Sequence, residues 1–260
     1  MIEFLKGLLF VRKCVFCGEV LIDSADSVFC PKCRLEYEKL KRRPCKLCGK
    51  PQTLCHCMPE KLTGERPVSA VHLFEYDGEL PQRILYLLKR KNLRALQKFL
   101  SDELADAVFR LLDGDFEDCH MTFAPRSPKS IRLYGFDQAE ALCRGISDRL
   151  EIPMAEIFRH ARRSQQQKTL NTAERGQNAE KSYELCRRLP RQSGRLILID
   201  DVVTTGSTAA KLVRLAREAG YSEIVIASVA RTPYRKQEKR EGKDENAADR
   251  KEPEKQAYEL

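Results

Sequence analysis

Short continuous apolar runs alternate along this chain with longer stretches whose apolar residues recur at helical spacing. Leu196 to Ile199 are four apolar residues in succession, as in a strand covered on both faces. Just beyond, Leu212, Val213, Leu215, Ala216 and Ala219 keep a helical period and predict a helix over Ser207 to Gly220. Glu223 to Ala230 predicts a further strand. Upstream, Val68 to Tyr76 alternates as a strand does and closes on Asp77-Gly78. Glu79 to Leu112 carries a helical stripe (Ile84, Leu85, Leu87, Leu88, then Leu96, Phe99, Leu100, Leu104, Val108, Leu111), divided in two near Lys91-Asn92. Met121 to Ala124 reads as a short strand and Pro125 to Gly135 as a basic loop. Gln138 to Leu150 reads as a helix with Asp137 as N-cap, and Ala155 to Phe158 as a strand. A polar Arg/Gln-rich loop then runs to Gln167, and Thr172 to Glu180 is predicted helical. Strands alternating with helices predict a parallel sheet covered on both faces, with ligands at the carboxyl ends of its strands.

The two ends of the chain differ from this middle. From Arg235 onward the sequence is charged and almost devoid of large apolar residues, so residues 235–260 are expected to be a disordered tail. Residues 58–67 carry Pro59, Gly64 and Pro67 without apolar periodicity and read as a linker. The division that follows is a ribbon over 1–57, a linker over 58–67, an α/β domain over 68–234 and the tail.

Cysteine decides the reading of residues 1–57. Eight of the eleven cysteines lie there, as Cys14-x2-Cys17, Cys30-x2-Cys33, Cys45-x2-Cys48 and Cys55-His56-Cys57. Paired thiolates on tight turns (Cys17-Gly18, Cys48-Gly49) present their sulfurs to one tetrahedral ion, and two such turns complete a structural zinc site. The first four cysteines fit this with twelve residues between the pairs. In the second set one residue separates Cys55 from Cys57, and His56 is an alternative ligand to either. One or two zinc ions are expected. A disulfide framework needs an oxidising compartment that nothing in the sequence supports, and iron–sulfur ligation is a minor alternative. Cys119, Cys143 and Cys186 stand singly and read as inert thiols.

At 260 residues the chain can bury a core of its own. No apolar run is long enough to span a bilayer, and FLKGLLFV, interrupted by Lys6, lacks a cleavage site, so a cytoplasmic protein is expected. The net charge is +9, and residues 1–66 hold thirteen Lys/Arg against eight Asp/Glu. A basic ribbon is compatible with nucleic acid, while the cations from Lys39 to Arg43 read equally well as a solvated helix end. Phe16, Phe29 and Tyr37 are few aromatics for base stacking.

The chemistry concentrates at Leu196 to Thr208, LILIDDVVTTGST. Asp200 and Asp201 stand where the strand should end, placed to meet sugar hydroxyls or a hydrated Mg²⁺. Thr204, Thr205, Gly206, Ser207 and Thr208 lead into a helix N-terminus, where free backbone N–H groups and the positive dipole end favour a phosphate. The plainer reading is a buried strand, an acidic turn and an N-cap. A Walker-type loop is excluded, because its spacing and its Lys are both missing. Pro125 to Arg132 concentrates cations and hydroxyls at another strand end, suited to a pyrophosphate.

The segment resembles the signature that binds phosphoribosyl pyrophosphate (PRPP) in type I phosphoribosyltransferases. That resemblance assigns Asp200 and Asp201 to the ribose hydroxyls as catalytic residues, and Thr204 to Thr208 to the 5-phosphate. With the cysteine pairs, the YDG-then-LLK segment (Tyr76 to Gly78, Leu87 to Lys89), GFDQAEAL (Gly135 to Leu142) and Gln167-x2-Leu170 before Glu174-Arg175-x2-Asn178, the chain resembles the ComF family of competence-associated proteins over residues 10 to 231. The resemblance implies a double zinc ribbon joined to a type I phosphoribosyltransferase-like α/β domain that takes PRPP with Mg²⁺. It assigns Lys89, Arg126 and Ser127 to pyrophosphate, and Gln167, Leu170, Arg175 and Asn178 to a lid. Tyr134 and Asp137 depart from the family's RGFNQA, exchanging a cation for a phenol and an amide for a carboxylate. Two function classes follow: a phosphoribosyl-transferring enzyme, or a binding protein for single-stranded DNA or PRPP in the DNA-uptake machinery that keeps the fold without turnover. The acceptor and the oligomeric state are not encoded in any motif.

Overall fold

The computed structural model describes residues 12–21, 27–64, 68–161, 182–189 and 194–233. The expected lid residues, the helix over Thr172 to Glu180 and the charged tail lie outside the described residues. Four strands, β1 (Val68–Glu75), β2 (Cys119–Phe123), β5 (Arg195–Val203) and β6 (Glu223–Arg231), form one parallel sheet in the order β1-β6-β5-β2. A separate antiparallel pair joins β3 (Phe158–His160) to β4 (Tyr183–Leu185).

The continuous apolar runs of β5 and β6 feed two cores by simple alternation. Ile197, Ile199, Val225 and Ala227 face one layer, with helices α2 (Glu79–Arg90), α3 (Arg94–Leu112) and α5 (Gln138–Leu150). Leu196, Leu198, Ile224 and Ile226 face the other, with α6 (Ser207–Glu218). Both faces are therefore dry, which is why these strands read as unbroken apolar segments rather than alternating ones.

The cysteine-rich segment is packed into the first layer. Its helix α1 (Pro31–Arg42) buries Tyr37, whose ring stacks on Phe29 (5.3 Å) and meets Phe74 of β1 (6.0 Å) and Phe99 of α3 (5.2 Å) edge-on. Phe29 and Tyr37 are thus core residues with no face open to a nucleobase. The basic run around α1 is largely ion-paired, Lys39 with Glu36, Lys41 with Glu38 and Glu103, and Arg43 with Asp77, which favours the solvated helix end.

A buried ion pair ties the second cysteine group to the sheet. Arg231, ending β6, donates through Nη2 to Glu75 Oε1 of β1 (3.1 Å), to Gln52 Oε1 (3.3 Å) and to Cys45 Sγ (3.0 Å). Gln52 Oε1 also meets His72 Nε2 (2.9 Å), and burial, aided by the Arg231 charge, pushes His72 down to about 3.

Two local expectations are corrected. Pro125 to Gly135 is not all loop but contains α4 (Pro128–Tyr134). Ser127 caps it by accepting from Ser130 N (3.2 Å), Pro128 starts it, and Gly135 at φ 79° ends it. The strand expected at Ala155 to Phe158 is displaced to β3, because its partner is β4 and not the main sheet. Met154 makes only a single parallel bridge to Met121.

Candidate functional site

Asp200 and Asp201 lie near the carboxyl end of β5, which continues to Val203 before the turn 204–206 opens into α6. Their side chains take opposite sides of the strand, as period two requires. Asp201 is buried, and its Oδ2 accepts from Gln138 Nε2 of α5 (2.7 Å) and lies 3.5 Å from Lys89 Nζ at the end of α2. Asp200 Oδ1 accepts from the Asp201 backbone N–H (2.8 Å). Burial, and next the neighbouring Asp201 charge, hold the Asp200 carboxyl well above the ordinary carboxylate range. The ammonium of Lys89 stands against Asp201 alone, and Asp200 adds a second carboxyl one residue before it on the strand. That is the donor set a hydrated Mg²⁺ fits, through carboxylate oxygens.

The turn after β5 is built for close approach. Gly206 takes φ 78°, and a Cβ there would stand 2.9 Å from Pro59 Cβ, so neither the backbone angle nor the space suits a side chain. Thr204 and Thr205 are exposed, while Ser207 and Thr208 are half-buried at the first turn of α6. Thr205 Oγ1 accepts from Ser207 N (3.4 Å) and shares a hydrogen bond with Ser207 Oγ (2.9 Å).

Around this centre the structure brings together Lys89, Asp200, Asp201 and the 204–208 turn. It gives Arg126 and Ser127 supporting contacts. The Arg126 guanidinium donates to the carbonyls of Lys89 (2.9 Å) and Phe136 (3.4 Å) and lies over the Tyr134 ring at 4.4 Å. Ser127 is the cap of α4. Asp137, the departure from the family pattern, is a buried hub: Oδ1 accepts from Ala139 N and Glu140 N as the cap of α5, and Oδ2 from Arg126 N (2.6 Å). Burial raises its carboxyl above the usual range even though three backbone N–H groups oppose the shift.

Three contributors escaped sequence reasoning. Gln138 lay within the GFDQAEAL motif but was given no role of its own. Tyr183 of β4 is pushed up to about 12 by burial and by the Asp200 charge, and it hydrogen-bonds Thr208. Lys61, in the expected linker, donates to Ser207 Oγ (2.8 Å). No motif marked either of the last two.

The cysteines gather as the spacing predicted, into Cys14, Cys17, Cys30 and Cys33, and into Cys45, Cys48, Cys55 and Cys57, with all four sulfurs of each group within 4.8 Å of one another. The Cys17–Cys30 and Cys48–Cys55 sulfurs lie 3.7 Å and 3.6 Å apart. Four sulfurs at about 2.3 Å from a central zinc would be about 3.8 Å apart, so both groups could hold one. His56 stays outside its group, with Nδ1 3.2 Å from the Ala70 carbonyl oxygen. Cys119 and Cys143 are buried and Cys186 is half-buried. Among the described residues no helix is long and apolar enough to cross a membrane.

Comparison with known proteins supplies a family context. The family model for the phosphoribosyl transferase domain matches residues 137–257. Competence protein F of Haemophilus influenzae is 26% identical over 237 residues, 87% of this chain and 94% of that protein. DNA utilization protein YhgH of Escherichia coli O157:H7 is 27% identical over 199 residues, covering 72% and 84%. Competence protein ComFC of Streptococcus pneumoniae is 24% identical over 237 residues, covering 84% and 100%. Among solved structures, the allosteric regulatory enzyme of purine biosynthesis aligns with TM-score 0.34 at 22% identity, over 51% of this chain and 25% of that one. Orotate phosphoribosyltransferase from Aeropyrum pernix aligns with TM-score 0.33 at 16% identity, over 58% of this chain and 64% of that one.

Proposed function

We propose that the chain is a ComF-family protein, as its similarity to competence protein F, ComFC and YhgH supports, and that it binds PRPP with Mg²⁺ and transfers the phosphoribosyl group in a process linked to DNA uptake. The observation that carries the reading is the Asp200–Asp201 pair beside Lys89, with the Thr204 to Thr208 turn opening onto α6 a few residues on.

Departure of pyrophosphate from the sugar builds positive charge on the ring and negative charge on the leaving group. Asp200 and Asp201 hold the ribose hydroxyls and orient the ring, and their negative charge favours the cationic sugar. Lys89, pinned through its carbonyl by Arg126, meets the leaving pyrophosphate with its ammonium. The turn and the first amides of α6 hold the 5-phosphate. Mg²⁺, held by the diacid, would supply Lewis-acid charge to the leaving group. The chain's own contribution is orientation, with Tyr183 closing one side of the site. Residues 167–178 stand as the proposed lid, and cytoplasmic residence is part of the same reading.

Titration calorimetry with PRPP and Mg²⁺ tests this. Wild-type protein should bind, and Asp200→Asn with Asp201→Asn should abolish binding without unfolding the chain. Equal affinity in the double variant would overturn the assignment. A pyrophosphate-release screen across bases and amines then separates a transferase from a PRPP-binding regulator.

A second reading, single-stranded DNA binding without turnover, is favoured by one surface feature. Arg90 lies over Tyr86 (5.3 Å) and Tyr134 (5.7 Å), and Arg126 over Tyr134 (4.4 Å) and Phe136 (5.8 Å). Such alternation of cations and rings suits stacked bases, and it lies on the α/β domain rather than on the ribbon. Loss of oligonucleotide affinity in Tyr86→Ala with Arg90→Ala would support it.

A further inference from the structure

We propose that Lys61 is a phosphate-binding residue of this site, supplied by the segment that joins the cysteine-rich region to the sheet. The inference rests on the PRPP reading and deepens it by naming the cation that meets the sugar's phosphate monoester.

The 204–208 turn contains hydroxyls and a glycine but no cation. A phosphate dianion seated there would be met by backbone amides and by the partial charge of a helix end, roughly half an elementary charge. The missing positive charge comes from elsewhere in the chain. Pro59 to Leu62 folds back on itself, with Leu62 N donating to Pro59 O (2.8 Å), and lies directly on the turn. Leu62 is fully buried in the layer that contains α6, and Pro59 stands where a side chain at Gly206 would be. Between these two anchors Lys61 reaches inward until Nζ donates to Ser207 Oγ at 2.8 Å. Ser207 is the first residue of α6, so the ammonium stands beside the amides that would receive the anion.

The contact with Ser207 is one a phosphate can improve on. A neutral hydroxyl is a weaker acceptor than a phosphate oxygen, because with phosphate the ammonium meets an ionised acceptor and gains an ion pair on top of the hydrogen bond. Among the described side chains no carboxylate lies within ion-pair distance of Lys61. Its exposed stem lets it move from the hydroxyl to an anion at little cost. Lys61 and Lys89 then divide the ligand, with Lys61 at the monoester end and Lys89, beside Asp201, at the pyrophosphate end.

Two probes distinguish these ends: ribose 5-phosphate, and inorganic pyrophosphate with Mg²⁺. Calorimetry on the full chain should show Lys61→Met weakening ribose 5-phosphate about tenfold, with pyrophosphate affinity unchanged. Lys61→Arg should keep most of the affinity. The melting temperature of Lys61→Met should match the wild type, because the side chain is exposed. Unchanged ribose 5-phosphate affinity in Lys61→Met would overturn the role of Lys61 while leaving the site standing. Equal weakening of both ligands would also overturn it. Wild-type protein that binds neither ligand would sink the PRPP reading itself, and the role of Lys61 with it.

Discussion

Lys89 Nζ at the end of α2 stands 3.5 Å from Asp201 Oδ2 in β5, and the same oxygen accepts from Gln138 Nε2 at 2.7 Å. Asp201 is therefore the point where two helices and a strand converge on one charge. Lys89→Met should remove the only ammonium that the described residues place on the diacid. We expect Mg²⁺–pyrophosphate affinity to fall about tenfold, with a stability loss of about 1 kcal/mol because Gln138 still partners Asp201. Calorimetry and thermal melting read the two effects separately, and undiminished pyrophosphate binding would refute the assignment.

Asp200 gives a pH signature. Its folded-state carboxyl titrates well above the ordinary range, chiefly through burial and then through Asp201. The unfolded chain releases that proton near pH 4, so above this pH the folded state holds more protons than the unfolded one. Stability from this group is present at low pH and is lost as pH rises through the folded value. Asp200→Asn should therefore be more stable than wild type at pH 7, with the difference closing as pH approaches 4. Melting curves across that window check it; parallel curves would count against a raised carboxyl.

Asp137 holds two structures at once, the α5 cap and the Arg126 backbone. Asp137→Asn keeps a cap but turns one acceptor into an N–H₂ facing another N–H. A cost of about 1–3 kcal/mol follows from leaving a buried donor unsatisfied. Hydrogen exchange at Arg126 should rise in this variant, and no change there would argue that the 125–127 segment is held some other way.

Arg231 joins a buried glutamate to a sulfur of the second cysteine group. Arg231→Met should destabilise by about 3–5 kcal/mol by leaving Glu75 buried and unpaired, and adding Glu75→Gln should recover part of this. Cys14→Ser with Cys17→Ser, and Cys45→Ser with Cys48→Ser, should each lose one zinc by elemental analysis. The second pair should also lower the melting transition of the α/β domain, since its sulfur touches β6. Full zinc content in either variant would rule out the corresponding site.

Much of this was legible locally. The parallel α/β class followed from Leu196 to Ile199 and the helical stripes around it, because both periodicities live within windows of a few residues. The two cysteine groups followed from close pairing, x2 in three pairs and a single residue between Cys55 and Cys57, which is set by the geometry of a single turn. Where sequence reading failed, longer-range pairing was the cause. β3 shifted because its partner, Tyr183 to Leu185, lies across an intervening segment. The 128–134 helix was missed because it buries no residue and so leaves no apolar stripe.

The sequence by itself determined which residue types were available and where: a diacid ahead of a hydroxyl-rich turn, eight clustered thiols, and strands apolar on both faces. Tertiary structure alone decided what meets them. Lys61, Lys89, Gln138 and Tyr183 come from four separate elements, and Arg231 reaches Cys45 from the far end of the fold. The sheet order β1-β6-β5-β2 brings them together by setting strands from opposite ends of the chain side by side. Convergence of that kind is a property of packing two faces of a sheet, and no local period or spacing encodes it.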